Sequence, residues 1–433
     1  MTNELEETRR LIDAGDITGA VRALRPAAES APLRELADAV GRLATATGFD
    51  ELTAASRALI ERPESPQALY DFGYGCVERG VAFLAVPALS EALRLAPDSY
   101  AVLDELVSAL EGERRHAEVV ALLTERDATL RPWPERYLLV FNSLLAGDLS
   151  TARAHSSRLP APEDDKWEWA YGRVHGMLGR AELAQAARPA GDGNGNGALD
   201  RRDLRGWHSV LTGGYLATLS PYGFESAMTG RFAYLQDSAE QCRRGLDRLR
   251  IVLDAAGRRP RSVSLLPGRS DRILGLAAAD VLGLPTEPYA PGRTDTVVVA
   301  YDLNEADREA AVSLRDRADG QILYEHATCW TDPPVVSADV SGLLCQTVVE
   351  PWGERLVMGD DGARRQPPDA RPPELIAAEI VRADGAADPG DGETPPDPDT
   401  ALAAFVTATA TAWATGPRTH VASPGPVPSA RFA

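Results

Sequence analysis

The stretch PQALYDFGYGCVERGVAFLAVPALSEALRLAPDS (Pro66–Ser99) contains two apolar helical patterns separated by Gly80. Ala85 follows that glycine by five residues, at a position where a larger side chain would hinder close packing of the two helices. The same spacing recurs through the first 190 residues, in the pairs Gly15/Ala20, Gly48/Thr53, Gly80/Ala85, Gly112/Ala117, Gly147/Ala152 and Gly179/Ala184. Successive glycines are 33, 32, 32, 35 and 32 residues apart. This period predicts an array of antiparallel helix pairs that bury their apolar faces against one another.

One unit of this array has the residue spacing of a known repeat, in Phe72, Gly73, Gly80, Ala85, Leu89, Ala92 and Pro97. That spacing resembles the tetratricopeptide repeat (TPR). The first hairpin matches its second half with Gly15, Ala20, Leu24, Ala27 and Pro32, and the other units keep mainly the period. The resemblance covers about residues 5–190 and implies a helical solenoid that binds a protein partner. The alternative is an unspecialised bundle of alanine-rich helices whose glycines mark helix ends.

The resemblance also implies which side chains face a partner in the best-matching unit. The positions that usually line the groove are Gln67, Tyr70, Tyr74 and Val77. The lysine and asparagine pattern that clamps a terminal carboxylate in some members is missing, so we expect aromatic and polar contacts to a helix or an extended peptide. The alternative is that Tyr70 and Tyr74 only pack between repeats.

Composition limits the classes of function. The 433 residues predict two or three domains, and 64 acidic against 45 basic residues give a net charge of −19. Without a basic stripe, we expect no nucleic-acid partner and no binding to anionic membranes. The polar N-terminus and four widely spaced cysteines predict a cytoplasmic protein, and the bias towards arginine and alanine is typical of a high-GC bacterial genome. The oligomeric state stays open.

Changes in composition divide the chain into four regions. A glycine-rich break, RPAGDGNGNG, occupies residues 188–197. The predicted fold class is therefore multidomain, α followed by α/β, with TPR-like repeats over 1–190 and a helical junction over 198–257. A small doubly wound α/β domain of three or four parallel strands is predicted over 258–358. A mostly disordered acidic, proline-rich tail with short helices is predicted over 359–433.

The α/β region shows strand and helix patterns in alternation. Apolar runs predict strands at Ser262–Leu266, Thr296–Ala300 and Gln321–Tyr324, separated by helices at Asp271–Leu282 and Glu305–Ala318. In the tail, Glu374–Val381 has a helical pattern, and Ala401–Ala414 either docks as a helix or remains loose.

Polar residues follow these predicted strands, where ligands of doubly wound sheets bind. The ligand-binding candidates are Arg269, Asp271, Asp302, Asn304 and His326. A helix ending AADVLGLP followed by VVVAYDLNE resembles a type I phosphoribosyltransferase, which implies a ribose-binding role for Asp302. The sequence departs from that family because it has one acid there, and acidic residues replace the small-residue phosphate loop. The alternative for Ser270, Asp271 and Asn304 is helix N-capping.

A calcium pattern overlaps the glycine-rich break. Its oxygen ligands would be Asp192, Asn194, Asn196, Asp200 and Asp203, with Gly197 at the turn position. The last ligand is Asp rather than Glu and Pro189 interrupts the leading helix, so the alternative is a linker that mimics the pattern. We expect no other cofactor and assign no catalytic residue.

The leading functional hypothesis is an adaptor or scaffold: the repeats bind a protein partner, and the α/β domain binds a small ligand or has a structural role. The alternative is an enzyme that acts on a nucleotide or phosphorylated sugar, with the repeats recruiting its partner.

Overall fold

A computed structural model describes residues 2–187, 199–359 and 362–431 of the chain. Two compact units are present, one formed by residues 1–146 and 158–160 and the other by residues 147–157 and 161–433. The first unit is helical, and the second contains a parallel-sheet α/β fold.

The first unit contains consecutive helical hairpins. Its helices are α1 (Thr2–Asp13), α2 (Ile17–Ala28), α3 (Leu33–Thr47), α4 (Asp50–Glu61), α5 (Pro66–Glu78), α6 (Ala82–Leu95), α7 (Tyr100–Gly112), α8 (His116–Thr124) and α9 (Tyr137–Leu145). Apolar side chains spaced three and four residues apart point inward and form one core, as the 3.6-residue period requires. Phe72 and Leu89, two residues of the repeat pattern, are fully buried in it.

The hairpin turns share one geometry. Gly15, Gly48 and Gly80 have φ values of +77°, +74° and +72°, the left-handed region in which a side chain is disfavoured. At the fourth turn the left-handed residue is Arg114, with a φ of 57°, two positions after Gly112. The turn between α7 and α8 therefore keeps the geometry although its glycine lies elsewhere.

The predicted turn at Gly179 is wrong, because α11 (Glu168–Ala186) continues through this residue. The earlier turns at Gly15 and Gly147 are followed by Asp16 and Asp148, whose carboxylates cap the next helix. Gly179 is followed instead by RAELAQA, a run of strong helix formers. One long helix therefore replaces the sixth hairpin.

We expect alanine to have opposite effects at two of these glycines. An added Cβ would meet no atom within 4 Å at Gly48 or at Gly179, so only the backbone conformation differs. Gly48→Ala should lower the free energy of unfolding by about 1 kcal/mol, whereas Gly179→Ala should raise it by roughly 0.5–1 kcal/mol. Urea unfolding, with hydrogen exchange to localise the change, measures both effects. Destabilisation by Gly179→Ala would argue for a turn at that residue.

The second unit combines helices with a sheet. Its other helices are α10 (Leu149–Ser156), α12 (Leu204–Thr212), α13 (Ala239–Ala255), α14 (Arg269–Leu282), α15 (Arg308–Ser313), α16 (Pro373–Arg382) and α17 (Asp399–Thr409). Its strands are β1 (Tyr215–Leu216), β2 (Phe232–Gln236), β3 (Ser262–Leu265), β4 (Thr286–Pro288), β5 (Thr296–Ala300), β6 (Ile322–Cys329), β7 (Val340–Val349), β8 (Arg355–Gly359) and β9 (Gly362–Gln366). Strands β8 and β9 form a separate antiparallel pair.

The main sheet has seven parallel strands in the order β1-β7-β6-β5-β3-β4, and β2 also pairs with β7. The three predicted strands are confirmed as β3, β5 and β6. The sheet is larger than the sequence predicts, because β7 and β4 complete it and because β1 and β2 come from the region predicted as a helical junction. Helices α13, α14, α16 and α17 cover one face, and α15 covers part of the other.

The C-terminal part of the chain packs on this sheet. Of the two alternatives for Ala401–Ala414, the docked helix is found: α17 lies against α13 and buries Leu402 and Val406. Beyond it, the Trp413 ring stacks on Tyr215 with 5.0 Å between ring centroids. The chain between and after α16 and α17 is largely irregular, yet several of its polar side chains are buried.

Buried ion pairs hold this segment in place. The Asp397 carboxylate contacts the guanidinium groups of Arg205 and Arg248 and accepts the N–H of Leu219 at 3.1 Å. The Arg418 guanidinium, almost fully buried, donates to Asp339 Oδ2 at 2.7 Å and to backbone carbonyls. Burial raises the pKa of Asp397. Arg205 and Arg248 together lower it by a larger amount, so the net pKa lies below the ordinary value of an aspartate.

We expect Asp397→Asn to destabilise the second unit by about 3–5 kcal/mol, because it leaves Arg205 buried without its charge partner and leaves Arg248 paired only with the more exposed Asp399. Asp399 pairs with Arg244 at 2.6 Å and with Arg248 at 3.2 Å, but it is 44% exposed and Arg248 keeps Asp397, so Asp399→Asn should cost about 1 kcal/mol or less. Because the pKa of Asp397 is lowered in the folded state, its contribution is present above about pH 4 and is lost as the pH falls below that value. Urea unfolding of the wild type and both variants at pH 7 and pH 3 measures these free energies. Equal losses of stability for the two variants at pH 7 would contradict the larger role of Asp397.

Candidate functional site

The carboxyl ends of the parallel strands bring together most of the predicted ligand-binding residues. Strand β3 lies between β4 and β5 in the sheet. The chain runs from β3 to β4 on one side and then crosses to β5 on the other side, so the direction of the connections reverses between β3 and β5. Open α/β sheets bind ligands at such a reversal. The loop after β3 continues into α14, and the loop over residues 301–307 connects β5 to α15.

Three carboxyl groups hold the loop after β5. Asp271 Oδ1 accepts the N–H of Tyr301 at 2.8 Å, and Asp302 Oδ1 accepts that of Asn304 at 2.9 Å. Glu325 Oε1 accepts the N–H of Leu303 at 2.8 Å. Three acidic side chains thus satisfy backbone donors of a single four-residue segment, which gives Asp271 and Asp302 a structural role in positioning the loop.

The same carboxyl groups have altered protonation. Burial raises the pKa of Asp271 and that of Asp302 to about 6. Burial, with a smaller effect from Asp302, raises the pKa of Glu325 to about 8. The loop therefore lies among carboxyl groups that disfavour a second negative charge, and a phosphate would be repelled wherever they ionise.

The other candidates at this edge connect loops. Arg269 Nη2 donates to the carbonyls of Asp369 and Arg371 at 2.7 and 2.8 Å. Asn304 Nδ2 donates to the carbonyl of Asp332 at 2.8 Å. The structure thus brings Asp271, Asp302 and Asn304 together at one loop, while the Arg269 guanidinium contacts residues 369–371.

The capping alternative is wrong for Ser270 and Asn304. Helix α14 begins at Arg269 without a side-chain cap, and the Ser270 hydroxyl accepts the indole N–H of Trp352 at 2.9 Å. Helix α15 begins at Arg308 and is capped by Asp307. The cap therefore lies three residues after Asn304.

His326 lies in the interior, in a polar cluster that the sequence does not indicate. Its Nε2 atom is 3.0 Å from Asp237 Oδ2, and its Nδ1 atom is 3.2 Å from the Tyr324 hydroxyl. The Tyr301 hydroxyl donates to the same Asp237 oxygen at 2.8 Å, and the Cys242 thiol donates to it at 3.3 Å. Burial raises the pKa of the Cys242 thiol well above its usual range. A protonated thiol of this kind is a poor nucleophile.

The predicted calcium ligands lie largely outside the described residues. Asp192, Asn194 and Asn196 belong to the part of the chain that is not described. Asp203 caps α12 by accepting the N–H of Gly206, and the Asp200 carboxylate accepts the N–H of Arg202 at 2.9 Å. Calcium binding by this segment therefore stays a prediction.

The predicted partner-binding residues share one face of α5. The Tyr70 and Tyr74 rings stack with 6.1 Å between centroids, and the Tyr74 ring is 44% exposed. Gln67 is exposed and donates to Asp71 Oδ1 at 2.7 Å, whereas Val77 is half-buried against the core. Tyr74 and Gln67 are thus accessible to a partner, whereas Tyr70 is half-buried and stacks on Tyr74.

Carboxylates surround this aromatic pair. Burial raises the pKa of Tyr70, and Glu105, Asp71 and Asp104 raise it further by their charge. The pKa of Glu105 is raised by burial and by Glu78. Arg131 pairs with Asp104 at 3.3 Å, whereas Asp71, Glu78 and Glu105 form no ion pair within residues 2–187, 199–359 and 362–431. The α5–α7 face, defined by these carboxylates and the two tyrosines, is therefore both aromatic and acidic.

Comparisons with protein-family models, curated proteins and solved structures find no match to this chain. Among the described residues, no helix combines the length and apolar character needed to cross a lipid bilayer. The geometry of these side chains is therefore the basis for the functional proposals.

We expect the stability of the second unit to fall as Glu325 ionises. The pKa of Glu325 is raised in the folded state, so the stability that its protonated form contributes is complete below about pH 4 and is lost as the pH rises through about 8. Glu325→Gln imitates the protonated side chain. The wild type should therefore lose about 2–3 kcal/mol more than this variant between pH 6 and pH 9.

Urea unfolding at the two pH values measures that difference. Glu305→Gln, an exposed substitution on the same loop, is the matched control and should follow the wild type. Parallel behaviour of wild type and Glu325→Gln would contradict a folded-state pKa of about 8 for Glu325.

Proposed function

We propose that this protein is a TPR-type adaptor whose α5–α7 face binds a basic segment of a protein partner. The observation that carries the proposal is the exposed Tyr74 ring, stacked on Tyr70, whose neighbouring carboxylates Asp71 and Glu105 form no ion pair among the described residues. The second unit is the accessory part of the adaptor in this proposal.

The aromatic pair suits a cationic side chain. A guanidinium or ammonium group over a tyrosine face is attracted by the ring quadrupole, with a gain of about 0.5–2 kcal/mol that increases as water is excluded. Stacking on Tyr70 restrains the Tyr74 ring before binding, and a restrained ring loses little entropy when a partner docks.

The carboxylates add selectivity for positive charge. Asp71 and Glu78 lie on α5, and Glu105 lies on α7, so a partner crossing from one helix to the other meets negative charge along its path. The raised pKa of Glu105 reflects a partly buried charge without a counterion. A lysine or arginine from a partner would provide that counterion and make a charge-assisted hydrogen bond.

The enzyme alternative lacks a comparable observation. The two residues central to it have structural contacts: Asp302 accepts the N–H of Asn304, and Arg269 donates to the carbonyls of Asp369 and Arg371. The neighbours of Asp302 include the carboxyl of Glu325, which makes the edge unfavourable for a phosphate. Ligand binding at this edge remains a separate hypothesis.

A labelled peptide rich in lysine and arginine tests the adaptor proposal by fluorescence polarisation. We expect binding that weakens with added salt, since the attraction is electrostatic. Tyr74→Ala should weaken it about 5- to 10-fold through loss of the cation–π contact. Glu105→Gln should weaken it by a similar factor.

Two substitutions in the second unit are matched controls. Tyr222 is 44% exposed like Tyr74, and Glu309 is an exposed acid, so Tyr222→Ala and Glu309→Gln should leave peptide binding unchanged. Equal binding of an acidic peptide of the same length, or equal losses for the control variants, would refute the proposed face.

A further inference from the structure

We propose that Asp237, Cys242 and His326 bind one zinc ion, or a divalent ion of similar preference, in the interior of the second unit. The three residues come from separate elements: Asp237 follows β2, Cys242 lies in the first turn of α13, and His326 lies on β6. All three side chains are fully or almost fully buried. A carboxylate oxygen, a thiolate and an imidazole nitrogen are the ligand types that zinc prefers.

The distances between the three donor atoms suit a tetrahedral ion. Bond lengths of about 2.0–2.3 Å at tetrahedral angles place neighbouring ligand atoms about 3.3–3.6 Å apart. Here Asp237 Oδ2 is 3.0 Å from His326 Nε2 and 3.3 Å from Cys242 Sγ, and the sulfur is 3.8 Å from the same nitrogen. The three atoms form a triangle with all members within 4.8 Å, the face of a coordination tetrahedron.

The orientation of the imidazole distinguishes a metal site from a nucleophilic triad. In a triad the nucleophile and the carboxylate contact opposite ring nitrogens. Here Cys242 and Asp237 both approach Nε2, so the three donors converge on one point. The Nδ1 atom contacts the Tyr324 hydroxyl, which is the outer hydrogen bond that orients a metal-binding histidine.

Charge balance also favours a divalent cation. A thiolate and a carboxylate carry two negative charges, and a neutral imidazole adds none, so a divalent ion makes the buried cluster neutral. Among the described residues, the ion-pair partner of Asp237 is His326. Without a metal, the cluster must instead keep the thiol protonated and balance the carboxylate by a protonated His326 or by hydrogen bonds.

The site is enclosed, and its three protein ligands leave the fourth tetrahedral position open. The Tyr301 hydroxyl lies 2.8 Å from Asp237 Oδ2 and completes the polar shell. A Cβ on Gly245 would come within 2.9 Å of His326 Nδ1 and 2.5 Å of the Tyr324 hydroxyl, so α13 approaches the cluster through a glycine. Because the cluster is enclosed, we expect the ion to enter while the chain folds and to stabilise the fold.

Metal analysis of the full-length protein tests this proposal. The chain is expressed with a tag that lacks histidine and cysteine, in medium supplemented with zinc or cobalt, and is then purified without chelators. We expect about one ion per chain. The cobalt form should show thiolate-to-cobalt charge-transfer absorption. Cys242→Ala and Asp237→Asn should reduce the metal content at least tenfold, and Tyr324→Phe should weaken metal retention against a chelator about tenfold.

Cys345→Ala is the matched control, because Cys345 is a buried cysteine outside the cluster whose thiol lies 3.9 Å from the carbonyl of Thr328. It should keep both the metal and the absorption band. Wild-type protein without metal from either medium would overturn the proposal, and so would metal retained in full by Cys242→Ala. If Cys242→Ala fails to fold, the charge-transfer band of the wild type decides, since its absence excludes a thiolate ligand.

Discussion

A charge can be buried only where an opposite charge or several hydrogen-bond donors lie beside it, and this requirement determines how the second unit is completed. Asp397 and Arg418 belong to a C-terminal segment with little regular structure, yet each pairs with a buried group: Asp397 with Arg205 and Arg248, and Arg418 with Asp339. Because removing one partner leaves a buried charge with fewer compensating contacts, these pairs fix the segment in one place. The docked segment in turn brings α17 and Trp413 onto the sheet.

The fold was predictable where one physical signal dominated. Val297–Val299 and similar apolar runs have no other stable environment than a covered sheet, so β3, β5 and β6 follow from the sequence. Strand β1 has two residues, and β2 begins in an aromatic-rich stretch among turns, so neither has a length or period that distinguishes it. The error at Gly179 shows that the glycine period alone does not specify a turn, because the strong helix formers after Gly179 continue the helix.

The candidate sites also differed in how far the sequence predicts them. Asp271, Asp302 and Asn304 were predictable as neighbours because strand ends in a parallel sheet meet at one edge. Their use as acceptors and donors for loops depends on backbone N–H groups whose positions no sequence pattern specifies. The cluster around His326 was missed because Asp237 and Cys242 are 89 and 84 residues away along the chain. An aspartate that ends one strand and a cysteine in the next helix carry no spacing signal towards a distant histidine.

The outer strand β4 limits how the protein can associate. It has three residues and ends in Pro288, which has no N–H to donate. A strand of a neighbouring chain that paired with β4 could form few backbone hydrogen bonds, because β4 is short and the proline ring replaces one N–H donor. The sheet is thereby protected from strand-to-strand aggregation at the β4 edge. This protection matters during folding, because parallel strands pair slowly when their partners are distant in the chain.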